Sequence, residues 1–146
     1  ASLYHHFGSK NEIVEAVFRQ GIDVMEHAWD EAAAAATGAD QRTLLATHIR
    51  AHLSALFENG PYTAAHVTAF RTAPAEVRGA VVPMRDAYEA RWTHLLTDLH
   101  LVDQPGLHRL TLFGAMNSSV EWFDTERGNL DELAEVITTQ FWGRTP

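Results

Sequence analysis

Helical spacing of apolar residues in every long segment constrains the fold of this chain more than any other feature. Apolar side chains recur three, four and seven positions apart, the period of one helix face, and no segment shows the sustained alternation of a half-buried strand. The sequence therefore predicts an all-α fold. Pro74 and Pro83 are expected to break or kink the chain in its middle. The expected helices cover residues 9–36, 40–58, 62–70, 83–101, 105–125 and 130–141.

The helix expected over residues 105–125 carries apolar residues on nearly all sides. Such a helix must be covered on all sides. A chain of 146 residues is long enough for one well-buried core and short for two, so we expect part of the cover to come from a second subunit. The last helix, with an apolar stripe from Leu130 to Phe141, is expected to pair with it. The predicted dimer interface consists of Phe113, Met116, Val120, Phe123, Leu133, Ile137 and Phe141.

The composition narrows the class of protein. The net charge is -8 and the sequence pI is near 5.5, so this part of the molecule lacks the basic surface that nucleic acids attract. The absence of cysteine rules out disulfides and Cys-based zinc sites and suits a reducing compartment. No signal peptide or long apolar run is present, although residues before Ala1 could carry a targeting segment. We expect a cytoplasmic protein that does not contact membranes.

Patterns for metal or enzyme chemistry are weak. His48 and His52 lie four apart, which is the spacing of two metal ligands on a helix, but no Glu completes a His-Glu-x-x-His pattern. We interpret both as polar positions beside the stripe that contains Leu45 and Ile49. The chain has no cysteine nucleophile, no Gly-x-Ser-x-Gly elbow and no Gly-rich phosphate loop. We therefore expect no enzyme activity, no metal and no other cofactor.

Arginines are concentrated in the middle of this acidic chain. Arg71, Arg78 and Arg85 recur every seven residues, and Arg91 adjoins an apolar stripe that includes Trp92. A guanidinium beside an apolar wall suits a phosphate or carboxylate group whose hydrophobic tail enters the core. The alternative is that these arginines are surface residues paired with carboxylates nearby in sequence, which are Glu76, Asp86 and Glu89.

Two further polar positions fall among apolar residues. Asn117 and Glu121 lie one turn apart on the helix that is apolar all round, so they should face a ligand, a water cluster or a dimer mate. His66 shares a helix face with Tyr62 and Phe70, where it is either a hydrogen-bonded core histidine or a pocket residue. The predicted ligand-binding residues are His66, Phe70, Arg85, Tyr88, Arg91, Trp92, Met116, Asn117 and Glu121.

The beginning of the chain has the pattern of a corner between two helices. Leu3 and Phe7 are four apart and form an apolar anchor, Gly8 suits the end of a helix, and Ser9 suits the cap of the next. Lys10 falls in the first turn of that helix, where the helix dipole disfavours a cation, which indicates a partner such as phosphate. By spacing alone, an ordinary helix-loop-helix corner fits equally well.

This stretch, from Leu3 through Lys10, resembles the end of the DNA-reading helix and the beginning of the next helix in the TetR family of bacterial repressors. The resemblance implies that two further helices of a helix-turn-helix domain precede Ala1. Residues 1–10 would then be the remnant of the DNA-binding domain, and residues 11–146 would form the ligand-binding and dimerisation domain. The matching positions of the motif imply DNA contacts by Tyr4, His5 and Lys10.

Two closing motifs are similar to those of one subgroup, the actinobacterial-type repressors of lipid and steroid catabolism that respond to acyl-CoA thioesters. They are Arg85-Asp86-Ala87-Tyr88-Glu89-x-x-Trp92 and Gly114-Ala115-Met116-Asn117-x-x-x-Glu121-Trp122-Phe123. The resemblance implies a homodimer joined by its last two helices, operator DNA as a partner of the full-length protein, and a small hydrophobic effector that releases DNA. An acyl-CoA thioester is the first candidate effector. A helical lipid-binding or scaffold module without DNA function is the alternative.

Overall fold

The computed structural model of the chain describes residues 8–100 and 103–142. Within them the protein folds into six α-helices and one short 3-10 turn, with no strand, which confirms the all-α prediction. The predicted DNA contacts Tyr4 and His5 lie outside the described residues. The helices are α1 (Lys10–Ala35), α2 (Gln41–Phe57), α3 (Pro61–Thr68), α4 (Ala75–Asp98), α5 (Pro105–Trp122) and α6 (Leu130–Trp142), and the 3-10 turn covers Phe70–Thr72.

Side-chain caps fix the beginnings of three helices. The Ser9 hydroxyl accepts a hydrogen bond from the Glu12 amide at the beginning of α1, and an Asp40 carboxylate oxygen accepts one from the Thr43 amide, at 3.0 Å, at the beginning of α2. Before α6, the Asn129 side-chain oxygen accepts from an amide in the first turn. Each cap satisfies an amide that has no partner within its own helix. The predicted caps Ser9 and Asp40 are confirmed.

The predicted break is confirmed at Pro74, where the chain is extended between the 3-10 turn and α4, and is wrong at Pro83. Helix α4 runs without interruption from Ala75 to Asp98 and contains Pro83. Proline removes one helical hydrogen bond, but core packing can outweigh that local cost. Val77 and Val81, which precede the proline, are buried, and so is Tyr88 after it, so packing holds both halves in one helix.

The buried side chains form two clusters. The N-terminal cluster joins the first half of α1, the 3-10 turn and the first half of α4, and it consists of Phe18, Ile22, Phe70, Val77 and Val81. The central cluster is larger and draws residues from α1, α2, α4, α5 and α6, among them Met25, Trp29, Leu45, Ile49, Leu53, Trp92, Leu112, Met116, Leu133 and Ile137. Helix α1 therefore belongs to both clusters.

The structure corrects the surface expected to contact a second subunit. Helix α6 packs mainly on α2 rather than on α5. As a consequence Met116, Leu133 and Ile137, which were predicted at a dimer interface, are buried in the core of the subunit itself. Phe113, Val120, Phe123 and Phe141 are only partly buried. The large apolar side chains that α5 and α6 leave exposed are Leu107, Leu110, Trp122 and Val136.

Across the described ranges, none of the helices combines the length and the apolar character needed to cross a membrane.

Candidate ligand-binding cavity

A cavity lies where the two clusters meet, among helices α1 to α5. It contains about 390 Å³ of space that protein atoms do not fill, and part of that space is open to solvent. Ile22 of the N-terminal cluster and Met25 and Tyr88 of the central cluster line it, so the cavity touches both clusters. The lining residues are Ile22, Met25, His52, His66, Val67, Arg85, Tyr88, Glu89, Phe113 and Asn117.

A buried hydrogen-bonded chain forms one polar side of the cavity. His52 Nδ1 lies 2.8 Å from the Tyr88 hydroxyl, and His52 Nε2 lies 2.8 Å from Asn117 Oδ1. Burial lowers the pKa of His52 to about 4, in spite of the bond to Asn117, so the imidazole is neutral at physiological pH. Since Oδ1 can only accept, Nε2 carries the hydrogen and Nδ1 accepts from the Tyr88 hydroxyl. Burial also raises the pKa of Tyr88.

His66 connects the cavity to α1. Burial lowers the pKa of His66, and its Nε2–H donates to the Phe18 carbonyl of α1. The imidazole also stacks on Phe70, with ring centroids 5.7 Å apart. At the same crossing, a Cβ atom on Gly21 would lie 2.7 Å from His66 Cδ2 and 2.7 Å from the Tyr62 carbonyl oxygen. Only glycine allows α1 and α3 to approach each other this closely.

Charged groups form the remaining wall. Arg109 Nη1 donates to Glu89 Oε2 at 2.5 Å, whereas Arg85 Nη2 lies 3.7 Å from the other oxygen of the same carboxylate. The Arg85 guanidinium also lies over the Phe70 ring, 4.3 Å from its centroid. Two guanidinium groups therefore share one carboxylate, and Arg109 makes the closer contact. The wall near Arg85 keeps an excess of positive charge that can attract an anion.

The structure brings four of the predicted ligand-binding residues to the cavity and leaves five away from it. His66, Arg85, Tyr88 and Asn117 line it. Phe70, Trp92 and Met116 are buried in the two clusters and are not among the lining residues. The remaining two, Arg91 and Glu121, lie elsewhere on the molecule.

The predictions for Arg91 and Glu121 need correction. Arg91 forms ion pairs with Glu26 and with Asp30, the latter at 2.6 Å, on the outer side of α1. The surface-pairing alternative therefore holds for Arg91, although with α1 carboxylates rather than with those expected from nearby sequence. Glu121 is exposed at the end of α5, because its helix turns that side away from the core.

The prediction for His48 and His52 was also incomplete. Both are buried, but His48 Nδ1–H donates to the Leu44 carbonyl at 2.8 Å and its ring packs on Trp29, whereas His52 faces the cavity. Within the described ranges, no three His, Cys, Asp or Glu side chains lie close enough together to hold a metal ion.

Six lining residues were not predicted as ligand contacts: Ile22, Met25, His52, Val67, Glu89 and Phe113. The sequence contains a signal for one of them. His52 follows Leu45 by seven positions and precedes Leu56 by four, so it occupies the buried stripe of α2 rather than its edge. Phe113 was predicted at the dimer interface, whereas its ring lies 5.3 Å from that of His52.

Comparisons with known proteins identify the family. The family described as tetracyclin repressor-like, C-terminal domain, matches residues 38–142. The structure is similar to the crystal structure of the superantigen PfiT, with 27% identity and a TM-score of 0.78 over 93% of this chain and 74% of that chain. It is also similar to PfmR, a TetR family transcriptional regulator from Thermus thermophilus, with 22% identity and a TM-score of 0.77 over 96% of this chain and 79% of that chain.

No curated protein sequence matches the chain. The second structural likeness shows the fold alone, whereas the family match covers most of the chain and all of helices α2 to α6. The chain belongs to the tetracyclin repressor-like family, and residues 38–142 are its C-terminal domain.

Proposed function

We propose that this chain is the ligand-binding and dimerisation body of a TetR-type transcriptional repressor, in which a small hydrophobic effector in the cavity releases DNA. The observation that carries the proposal is the position of His66. This residue lines the cavity and at the same time bonds to the backbone of α1. Helix α1 begins at Lys10, next to the sequence that resembles the end of a DNA-reading helix. Tyr4, His5 and Lys10 are the proposed DNA contacts.

The two clusters suggest how binding reaches DNA. The first half of α1 packs in the N-terminal cluster through Phe18 and Ile22, and its second half packs in the central cluster through Met25 and Trp29. An occupant that pushes on Ile22 or His66 displaces the first cluster relative to the second and tilts the beginning of α1. An effector that binds the tilted arrangement more tightly shifts the population toward it.

The cavity favours an effector with a hydrophobic part and an anionic end. Met25, Val67 and Phe113 provide the apolar wall, and Arg85 provides positive charge beside it. The space that a water-sized sphere can occupy is about 40 Å³, well below the volume of typical small-molecule sites, so an acyl group would have to widen the cavity as it binds. An acyl-CoA thioester is the first candidate, with its acyl group inside the cavity and its nucleotide outside.

A thermal-shift screen of acyl-CoA esters, the corresponding free acids and neutral hydrophobic compounds tests this proposal. Binding to the native state raises the unfolding midpoint by mass action, and we expect the thioesters to give the largest increase. Arg85→Gln should reduce the response to anionic ligands. Arg91→Gln is the matched control, because Arg91 pairs with α1 carboxylates away from the cavity. Neutral compounds that raise the midpoint while both anionic classes leave it unchanged would contradict the proposed effector.

The exposed apolar residues of α5 and α6 support a two-fold dimer. Leu107, Leu110 and Trp122 lie on the solvent side of α5, and a Cβ on Gly114 between them would meet no atom within 4 Å. A dimer that covers this face would bury about 2,000 Å² in total. Leu110→Asp should give monomers in analytical ultracentrifugation, whereas Thr125→Asp, in the loop after α5, should not. A wild-type chain that sediments as a monomer at micromolar concentration would refute the dimer.

A further inference from the structure

We infer that Asn117 determines the specificity of the cavity: its side-chain amide donates a hydrogen bond to a carbonyl oxygen of the bound effector. The inference rests on the proposed function, because it takes the cavity as the effector site. Beyond that function, it names the group of the effector that the protein recognises. This group is the carbonyl of an ester, thioester, amide or ketone, whose oxygen accepts hydrogen bonds.

The buried side chains of His52 and Tyr88 fix the orientation of the Asn117 amide. His52 is 2% exposed, and a neutral imidazole has one N–H and one lone pair to satisfy. The Tyr88 hydroxyl satisfies the lone pair, and Asn117 Oδ1 satisfies the N–H. The acceptor end of the amide is therefore occupied inside the protein, and the donor end remains.

The reverse orientation is disfavoured. If Asn117 presented Nδ2 to His52, the imidazole would have to carry its hydrogen on Nδ1 and donate it to the Tyr88 oxygen. The Tyr88 hydroxyl hydrogen would then need another acceptor, and the described residues offer none within hydrogen-bonding distance. Tyr88 is 4% exposed, so only a water inside the cavity could accept this hydrogen, whereas the first orientation needs no water. An orientation that leaves a buried hydroxyl without a partner is costly, so the first orientation is preferred.

The cavity wall offers hydrogen-bond donors to an occupant. The Nδ2 group of Asn117 has no hydrogen-bond partner among the described residues, and Arg85 also presents donors. The Glu89 carboxylate is the charged acceptor of the wall, and its two oxygens face guanidinium groups, Oε2 bonded to Arg109 and Oε1 3.7 Å from Arg85. An occupant with a carbonyl oxygen therefore finds donors at Asn117 and Arg85.

Two pairs of compounds that differ in a carbonyl group test the inference by isothermal titration calorimetry. The first pair is decanoyl-CoA and S-decyl-CoA, a thioether without the carbonyl oxygen. The second pair, 2-octanone and octane, has no CoA. We expect wild-type protein to bind each carbonyl compound about tenfold more tightly than its partner, the size of one hydrogen bond in a buried site.

Asn117→Leu should bind both members of each pair equally, because leucine has a similar size and no donor. Ser118→Ala, which changes the exposed neighbour on α5, should keep the wild-type preference. A preference that persists in Asn117→Leu would overturn the inference. If wild type distinguishes the ketone from the alkane but binds neither CoA compound, the acyl-CoA proposal fails and the inference stands. If it binds none of the four, both fail.

A spectroscopic measurement covers the case in which Asn117→Leu does not fold. In wild-type protein labelled with ¹⁵N, the side-chain NH₂ signals of Asn117 should shift on addition of decanoyl-CoA and stay in place on addition of S-decyl-CoA. The His52 ring should show the Nε2–H tautomer. An Nδ1–H tautomer, or equal shifts with both compounds, would overturn the inference.

Discussion

The N-terminal cluster and the central cluster differ in how they are held together. The central cluster draws on five helices and contains fully buried side chains from three of them, including Ile49, Trp92 and Met116. The five buried residues of the N-terminal cluster come from three segments, the first halves of α1 and α4 and the 3-10 turn, with Ala65 of α3 packed against them. Regions with few buried contacts open at lower free energy than the core. The cavity therefore touches a larger cluster and a smaller one, and we expect the smaller one to open at lower free energy.

The comparison predicts that equal substitutions have unequal effects in the two clusters. Ile49→Ala in the central cluster should lower the free energy of unfolding by about 4 kcal/mol, because the surrounding helices cannot collapse into the space. Ile22→Ala should cost about 2 kcal/mol, near the lower end of the same range, because the N-terminal cluster can relax toward the cavity. Urea denaturation measures both values. A loss at Ile22 as large as that at Ile49 would show that the two clusters are equally well packed.

Acid should destabilise the protein because His52, which is buried beside the central cluster, has a lowered pKa. Burial lowers the pKa of His52 from 6.5 to about 4, so below pH 6.5 the unfolded chain binds a proton that the folded chain does not. Stability should be constant with respect to this group above pH 6.5. It should fall by about 3 kcal/mol as the pH drops from 6.5 to 4.

Denaturation at about pH 6.5, 5.5 and 4.5 measures this dependence, and because glutamates titrate near the lowest of these values, wild type is compared with variants at each pH. His52→Leu should flatten the curve, whereas His94→Gln, which changes an exposed histidine of α4, should leave it unchanged. A curve of the same slope in wild type and His52→Leu would show that His52 is not the group responsible. His66, whose pKa burial also lowers, should add a smaller dependence of the same sign.

The contact between α1 and α3 can be tested at Gly21. Gly21→Ala places a Cβ 2.7 Å from the Tyr62 carbonyl oxygen, a backbone atom that cannot move without shifting α3. We expect a loss of about 1–3 kcal/mol in the free energy of unfolding. Gly79→Ala is the matched control in an exposed part of α4 with no atom near the new Cβ, and it should raise stability by about 0.5–1 kcal/mol. Equal effects of the two substitutions would refute the close contact.

The sequence was sufficient for the fold and for only part of the cavity. Helical periodicity and the caps Ser9 and Asp40 are local properties, and the predicted α1 and α2 agree with the structure. The predicted break at Pro83 was wrong because the burial of Val81 and Tyr88 outweighs the tendency of proline to interrupt a helix. This burial depends on other helices, so the sequence of one segment does not reveal it. The prediction that Arg91 binds the ligand was wrong for a similar reason. Its partners Glu26 and Asp30 lie more than sixty positions away in sequence, and only the packing of α1 on α4 brings them together.

Hydrogen exchange measured by mass spectrometry tests most directly whether the cavity acts on α1 through the N-terminal cluster. Adding decanoyl-CoA to wild-type protein should change exchange in residues 13–22 of α1 and 75–82 of α4 while residues 45–56 of α2 stay protected. His66→Phe keeps an aromatic ring but removes the hydrogen bond to Phe18, worth about 1 kcal/mol, so the change in α1 should shrink although the ligand still binds. A response confined to α2, or one in α1 that is identical in wild type and His66→Phe, would contradict the account.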